Sequence, residues 1–154
     1  MNSSQPSGLV VAYPIRLKPG EDLVSAMEKA AISAMEKSGT TSAFVLTAVG
    51  SLESVTLRMA NASKDDGDFV NELKEWKARL EIVSLSGTFS PDGKHLHMSV
   101  SDEKGNVFGG HLVSGKIFTT LELVIGAILD VNFSRTQDPA TGYKELVVNP
   151  IKNN

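Results

Sequence analysis

The chain has no cysteine among its 154 residues. That absence excludes a disulfide scaffold, a thiolate metal site and a cysteine nucleophile. It also lacks a basic excess, since 15 Lys and Arg stand against 18 Asp and Glu for a net charge of -3. The most charged stretches, Lys64-Asp65-Asp66 and Glu72 to Lys77, mix both signs, so the basic stripe of a nucleic-acid module is missing. Long apolar runs are missing too: the longest, Leu123 to Leu129, falls far short of the ~18 residues of a spanning helix. Met1 to Gly8 is polar, without the apolar centre of a secretory signal. The expectation is a cytoplasmic protein with no membrane contact and no direct DNA binding. Two catalytic motifs are absent as well. Ser84 and Ser86 lie near Gly87 but lack the glycines of a nucleophile elbow, and Gly105 to Gly110 lacks the lysine and threonine of a phosphate-binding loop.

What is present is an ordinary globular composition, 41% hydrophobic and 21% charged, with a length that suits one domain. Residues 1–8 read as a flexible arm, 9–148 as the domain and 149–154 as a tail. Leu9 to Leu17 is a strand whose Pro14 points to an edge or a bulge. Pro19-Gly20 turns the chain, and Glu21 and Asp22 put negative charge in the first turn of a helix. Leu23, Met27, Ala30, Ala31, Ala34 and Met35 recur at helical spacing, and Gly39 suits a C-terminal cap. Ala43 to Val49 reads as a strand broken by Gly50-Ser51, with a second one around Val55, Leu57 and Met59. Asn61 to Asn71 reads as a loop leading into a helical turn up to Glu75. Trp76 to Phe89, Lys94 to Ser101, Val107 to Val113 and Tyr143 to Val148 read as strands. Ile117 to Phe133 reads as apolar segments kinked near Gly126, with Leu123 to Leu129 either strand or short helix. The fold class is α+β: a largely antiparallel sheet with one main helix, about residues 21–38, packed on it.

The chemistry concentrates in one hairpin. His95 and His97, two apart on a strand, project from one face, while Leu96, Met98 and Val100 take the other. With a three-residue loop, Glu103 to Gly105, Asp102 faces Asn106 and His97 faces His111 across the ribbon. All three of the chain's histidines then converge. Three neutral imidazoles with an open position suit a divalent metal, zinc first, with iron, nickel or copper as further candidates. Gly109-Gly110 would leave room for a ligand beside them, and Asp102 or Glu122 would supply a fourth ligand or a general base.

Leu17-Lys18-Pro19-Gly20-Glu21-Asp22-Leu23, Val49-Gly50-Ser51-Leu52, Glu81-Ile82-Val83-Ser84-Leu85-Ser86-Gly87 and His95-Leu96-His97 follow one another in order. Asp102, Gly105, Val107, Gly109-Gly110-His111-Leu112, Gly115, Glu122 and Thr141-Gly142-Tyr143 continue the series. This set resembles the plants-and-prokaryotes-conserved (PPC) domain, the module that follows the AT-hook in plant nuclear proteins. The resemblance implies a mixed α/β fold with a mostly antiparallel sheet, a homotrimer, and a prokaryotic-type member, since the histidines are the prokaryotic pattern. No Arg-Gly-Arg-Pro AT-hook core occurs. Ala78-Arg79-Leu80-Glu81-Ile82 matches the plant partner-binding stretch in part, which makes Arg79 and Glu81 candidates for partner binding. The implied function is a homotrimeric binding or regulatory module that recruits other proteins or a small ligand. Val10, Leu46 and Leu123 to Leu129 are the apolar candidates for its interface. The alternative is a hydrolase-like enzyme in which a metal on His95, His97 and His111 acidifies a bound water.

Overall fold

A computed structural model of the chain describes residues 6–60 and 72–151. Among these residues the chain order is β1 (Val10–Leu17), α1 (Leu23–Ser38), β2 (Ala43–Arg58), β3 (Leu73–Trp76), β4 (Leu80–Ser90), β5 (Gly93–Ser101), β6 (Val107–Ile128), β7 (Val131–Gln137) and β8 (Lys144–Pro150). Every strand pairing is antiparallel. The fold is therefore a mostly antiparallel sheet with one helix, as the sequence implies.

The main sheet runs β1-β6-β5-β4-β2-β3, and β6 also pairs with β2. The strands β2, β4, β5 and β6 thus form a closed circuit of pairings. Inside sit Leu52, Leu57, Leu80, Leu96, Val100, Ile117, Leu121, Leu123 and Ile125, all 1% exposed or less, together with Leu23 and Met27 of α1. Pro14 lies on β1, an end strand of the sheet that pairs only with β6, where a missing N–H is tolerated. The β7–β8 hairpin forms a second, two-stranded sheet. It is tied on by hydroxyls: Ser42 donates to the Val131 carbonyl at 2.6 Å and Thr41 to the Phe133 carbonyl at 3.2 Å.

Several elements differ from the sequence expectation. The helix starts at Leu23, so Glu21 and Asp22 precede its first turn instead of filling it. Asp22 is the N-cap and accepts from the Ser25 N–H at 2.8 Å, while the Glu21 carboxylate accepts from the Lys18 N–H. Gly39 closes the helix in the left-handed region, φ 62°. Gly50 does not break a strand. At φ 157° it carries β2 through a register shift, and a Cβ there would stand 2.1 Å from the Thr120 carbonyl oxygen. Leu73–Trp76 is a strand against Val55–Arg58, not a helical turn, and Lys77 to Arg79 separate it from β4. The expected loop Asn61 to Asn71 and residues 1–5 of the arm lie outside the described residues. β6 passes Gly126 without a register shift against β1. A Cβ there would stand 2.7 Å from the Phe44 ring, which packs against the glycine. Leu123 to Leu129 is strand through Ile128, and its Leu123, Ile125 and Ala127 are core, not interface. β8 runs to Pro150, two residues past the expected end.

Candidate metal centre

The β5–β6 hairpin is organised by its loop. Asp102 accepts from the backbone N–H of Lys104 and Asn106 and from the Asn106 side chain, each at 2.9 Å, and Gly105 takes φ 79°. These bonds set the register, which places His97 opposite His111. His95 follows on the same face of β5, two residues before His97. The ring centroids lie 4.9 Å (His95–His97), 5.2 Å (His95–His111) and 5.5 Å (His97–His111) apart. One nitrogen from each ring falls within 4.8 Å of the others.

The donor set fits a metal. Tetrahedral zinc with ~2.0–2.1 Å bonds to imidazole holds its nitrogens roughly 3.4 Å apart. Here the His95 and His97 Nε2 atoms stand 3.0 Å apart, close to that spacing. The Nδ1 of His111 is buried without a hydrogen-bond partner, an atom of the kind that a bound group satisfies. Two of the rings are also biased toward the ligand-competent form. Burial, then the nearby Arg58 cation, push His111 down to about 4. His95 is lowered from its ordinary value by partial burial, by His97 and by Arg135, with Glu145 opposing. Neutral imidazole is the form that donates a lone pair.

The surroundings come from β2, β4 and β7 and from Tyr143, just before β8. Ser86 and Thr88 of β4 face His97 and His95, and Arg58 of β2 faces His111. The Arg58 guanidinium lies over the Tyr143 ring at 5.4 Å. Arg135 of β7 is buried. Its Nη2 donates to the Thr88 hydroxyl at 2.8 Å and its backbone N–H to Asp92 at 3.0 Å, while its Nε has no partner.

Other sequence candidates fall elsewhere. Among the described residues, the group of metal-competent side chains is His95, His97 and His111. Asp102 is outside it, because its oxygens serve the hairpin loop; the Asn106 side chain, first among those hydrogen bonds, lowers its pKa. Glu122 is exposed on β6, opposite Arg16 and Val49, eleven residues along the strand from His111. Gly109 and Gly110 lie where the backbones come close. A Cβ at Gly109 would stand 2.6 Å from the Met98 carbonyl oxygen, and one at Gly110 would stand 2.7 Å from that of Arg58. These glycines let the strands approach. Arg79 lies over the Phe118 ring at 5.0 Å, and Glu81 is exposed opposite Ser101, away from the histidines. Sequence reasoning missed Arg58, Thr88 and Arg135, which carry no local signal; Tyr143 was visible only as part of a family pattern.

A family model, the Plants and Prokaryotes Conserved (PCC) domain, matches residues 6–129. The bifunctional protein GlmU of Synechococcus sp. (strain JA-3-3Ab) is 45% identical over 147 residues, which is 95% of this chain and 22% of that protein. The chain thus spans about a fifth of the length of the first curated relatives it matches. The solved structure of a hypothetical protein from Salmonella cholerae-suis is 31% identical with a TM-score of 0.81, covering 95% of this chain and 98% of that one. That of a metal-containing protein from Archaeoglobus fulgidus is 26% identical with a TM-score of 0.73, covering 96% and 99%. The closed antiparallel circuit, its histidine hairpin and the extent of the match converge on one assignment: the chain belongs to the Plants and Prokaryotes Conserved domain family.

Proposed function

We propose that this protein is a homotrimeric binding module in which His95, His97 and His111 hold one divalent metal ion, zinc in the first place. One observation carries the metal: three imidazole nitrogens within 4.8 Å of one another, with burial and neighbouring positive charge lowering the pKa of His95 and His111. The metal-containing relative from Archaeoglobus fulgidus supports the same reading. The metal, when bound, supplies a Lewis-acidic position open to a ligand.

Assembly is supported by an apolar outer face where β1, β6 and β2 run side by side. Val10 is 46% exposed and Leu46 45%, Ala12, Gly126 and Phe44 form one cross-strand row beside them, and Val49 borders the charged row of Arg16 and Glu122. Burying such a face on association is what stable interfaces do. With a net charge of -3, no direct role on DNA is proposed.

Protein grown in zinc-replete medium and purified without an affinity tag should carry about one zinc per chain by elemental analysis, and less than about a tenth would end the metal reading. Sedimentation equilibrium at micromolar concentration should return the mass of three chains; a monomer would end the assembly reading.

A further inference from the structure

We infer that this centre binds a small oxyanion, a carboxylate or a phosphate group, with one oxygen on the metal held by His95, His97 and His111 and another on the guanidinium of Arg58. The inference rests on the metal reading above and adds the ligand class and the residue that selects it.

The placement of Arg58 follows from strand pairing. Ser86, His97, His111 and Arg58 form one continuous row across β4, β5, β6 and β2. Residues directly opposite in antiparallel strands share a face, and neighbouring strands lie ~4.8 Å apart. Arg58 therefore stands one strand beyond His111, on the histidine face. Its guanidinium lies over the Tyr143 ring, 5.4 Å from the centroid. The planar fork of N–H donors that a guanidinium carries matches a planar or tetrahedral oxyanion.

The charge balance asks for an anion. Three neutral imidazoles leave the charge of a divalent metal uncompensated, unlike sites built from thiolates or carboxylates. The protein adds to that charge, with Arg58 paired opposite His111 and Arg135 bonded to Thr88 opposite His95. Arg135, only 8% exposed, adds a second cation on this side of the sheet: its Nη2 donates to the hydroxyl of Thr88, the cross-strand neighbour of His95.

The test uses protein loaded with cobalt(II), whose visible spectrum reports changes at the metal. Wild-type protein is titrated separately with inorganic phosphate and with acetate, and a saturable spectral change with either supports the inference. Response to one alone narrows the ligand to that group. Arg58→Gln should weaken anion binding about 10- to 100-fold, the usual effect of losing a charge-assisted hydrogen bond, while cobalt affinity stays within about threefold. Arg58→Lys, which keeps the charge but not the fork, should fall between. If Arg58→Gln loses its native circular dichroism, Arg58→Lys carries the test alone. Anion affinity unchanged in the variants, or no spectral response to either anion in cobalt-loaded wild type, overturns the inference while the metal reading stands. Wild type that takes up no cobalt overturns the metal reading, and the inference with it.

Discussion

Acidifying the metal-free protein should destabilise it through His111 in a window set by that residue. In the unfolded chain His111 titrates near the ordinary value of 6.5; in the folded protein burial and Arg58 bring it to about 4. Above 6.5 neither state takes the proton, and His111 contributes no pH dependence. Between 6.5 and 4 the unfolded state takes it while the folded state does not, so stability falls as the pH falls. Below 4 both states are protonated and the contribution levels off. At 1.36 kcal/mol per unit the ceiling is roughly 3.4 kcal/mol. The ring is only partly withdrawn from water, and solvent screening reduces this to about 1.5–2 kcal/mol. Urea unfolding at about pH 7.5 and about pH 4.5, compared with the non-titrating His111→Gln, measures the difference: wild type should lose about 1.5–2 kcal/mol more than the variant. An NMR titration of the His111 ring gives the midpoint directly. Parallel losses in the two proteins, or a midpoint at or above 6.5, would refute the reasoning. The same shift governs competition between metal and protons. At about pH 5 an unperturbed histidine loses roughly thirtyfold in ligand competence, whereas one near 4 loses almost none.

Two further outcomes follow from the same structure. Free zinc at about a hundred times its dissociation constant should stabilise the fold by about 2.7 kcal/mol, a rise in Tm of roughly 5–11 °C for a chain of this size. His97→Ala should abolish the rise in differential scanning calorimetry while leaving the metal-free Tm nearly unchanged, because His97 is exposed. Gly110→Ala should cost about 1–3 kcal/mol in urea unfolding, since its Cβ would stand 2.7 Å from the Arg58 carbonyl oxygen and 3.0 Å from Met59 Cε. The same displacement of β2 should weaken anion binding at Arg58.

The histidine cluster was legible because everything that builds it is local. Alternation separates His95 and His97 from Leu96 and Met98. Asp102, Gly105 and Asn106 define a tight loop, and the loop sets which residue faces His111. A shift by one residue would have turned His111 to the core; the bonds to Asp102 prevent it. The helix was legible for a similar reason, since its apolar spacing and Gly39 act within one segment. Its first turn was misjudged because Asp22 satisfies the Ser25 N–H from outside the helix and not from within it.

Arg58, by contrast, reaches the site through a pairing that no local signal sets. It belongs to β2, a strand that the sequence divides at Gly50 and the structure keeps whole. The β2–β6 ladder shifts register in four places, the last between Thr56 and Leu57, immediately before Arg58 faces His111. Each bulge changes which face a side chain takes, so alternation along β2 alone does not reveal that Arg58 shares the histidine face. Arg135 is placed by still more distant groups, Asp92 and Thr88. The division has a functional meaning. The residues able to hold a metal sit in one hairpin, while the residues that tune the rings and face an incoming ligand arrive only when the circuit closes and the β7–β8 hairpin docks. Metal affinity should therefore follow the integrity of the β5–β6 hairpin, and ligand choice should follow the bulges of β2.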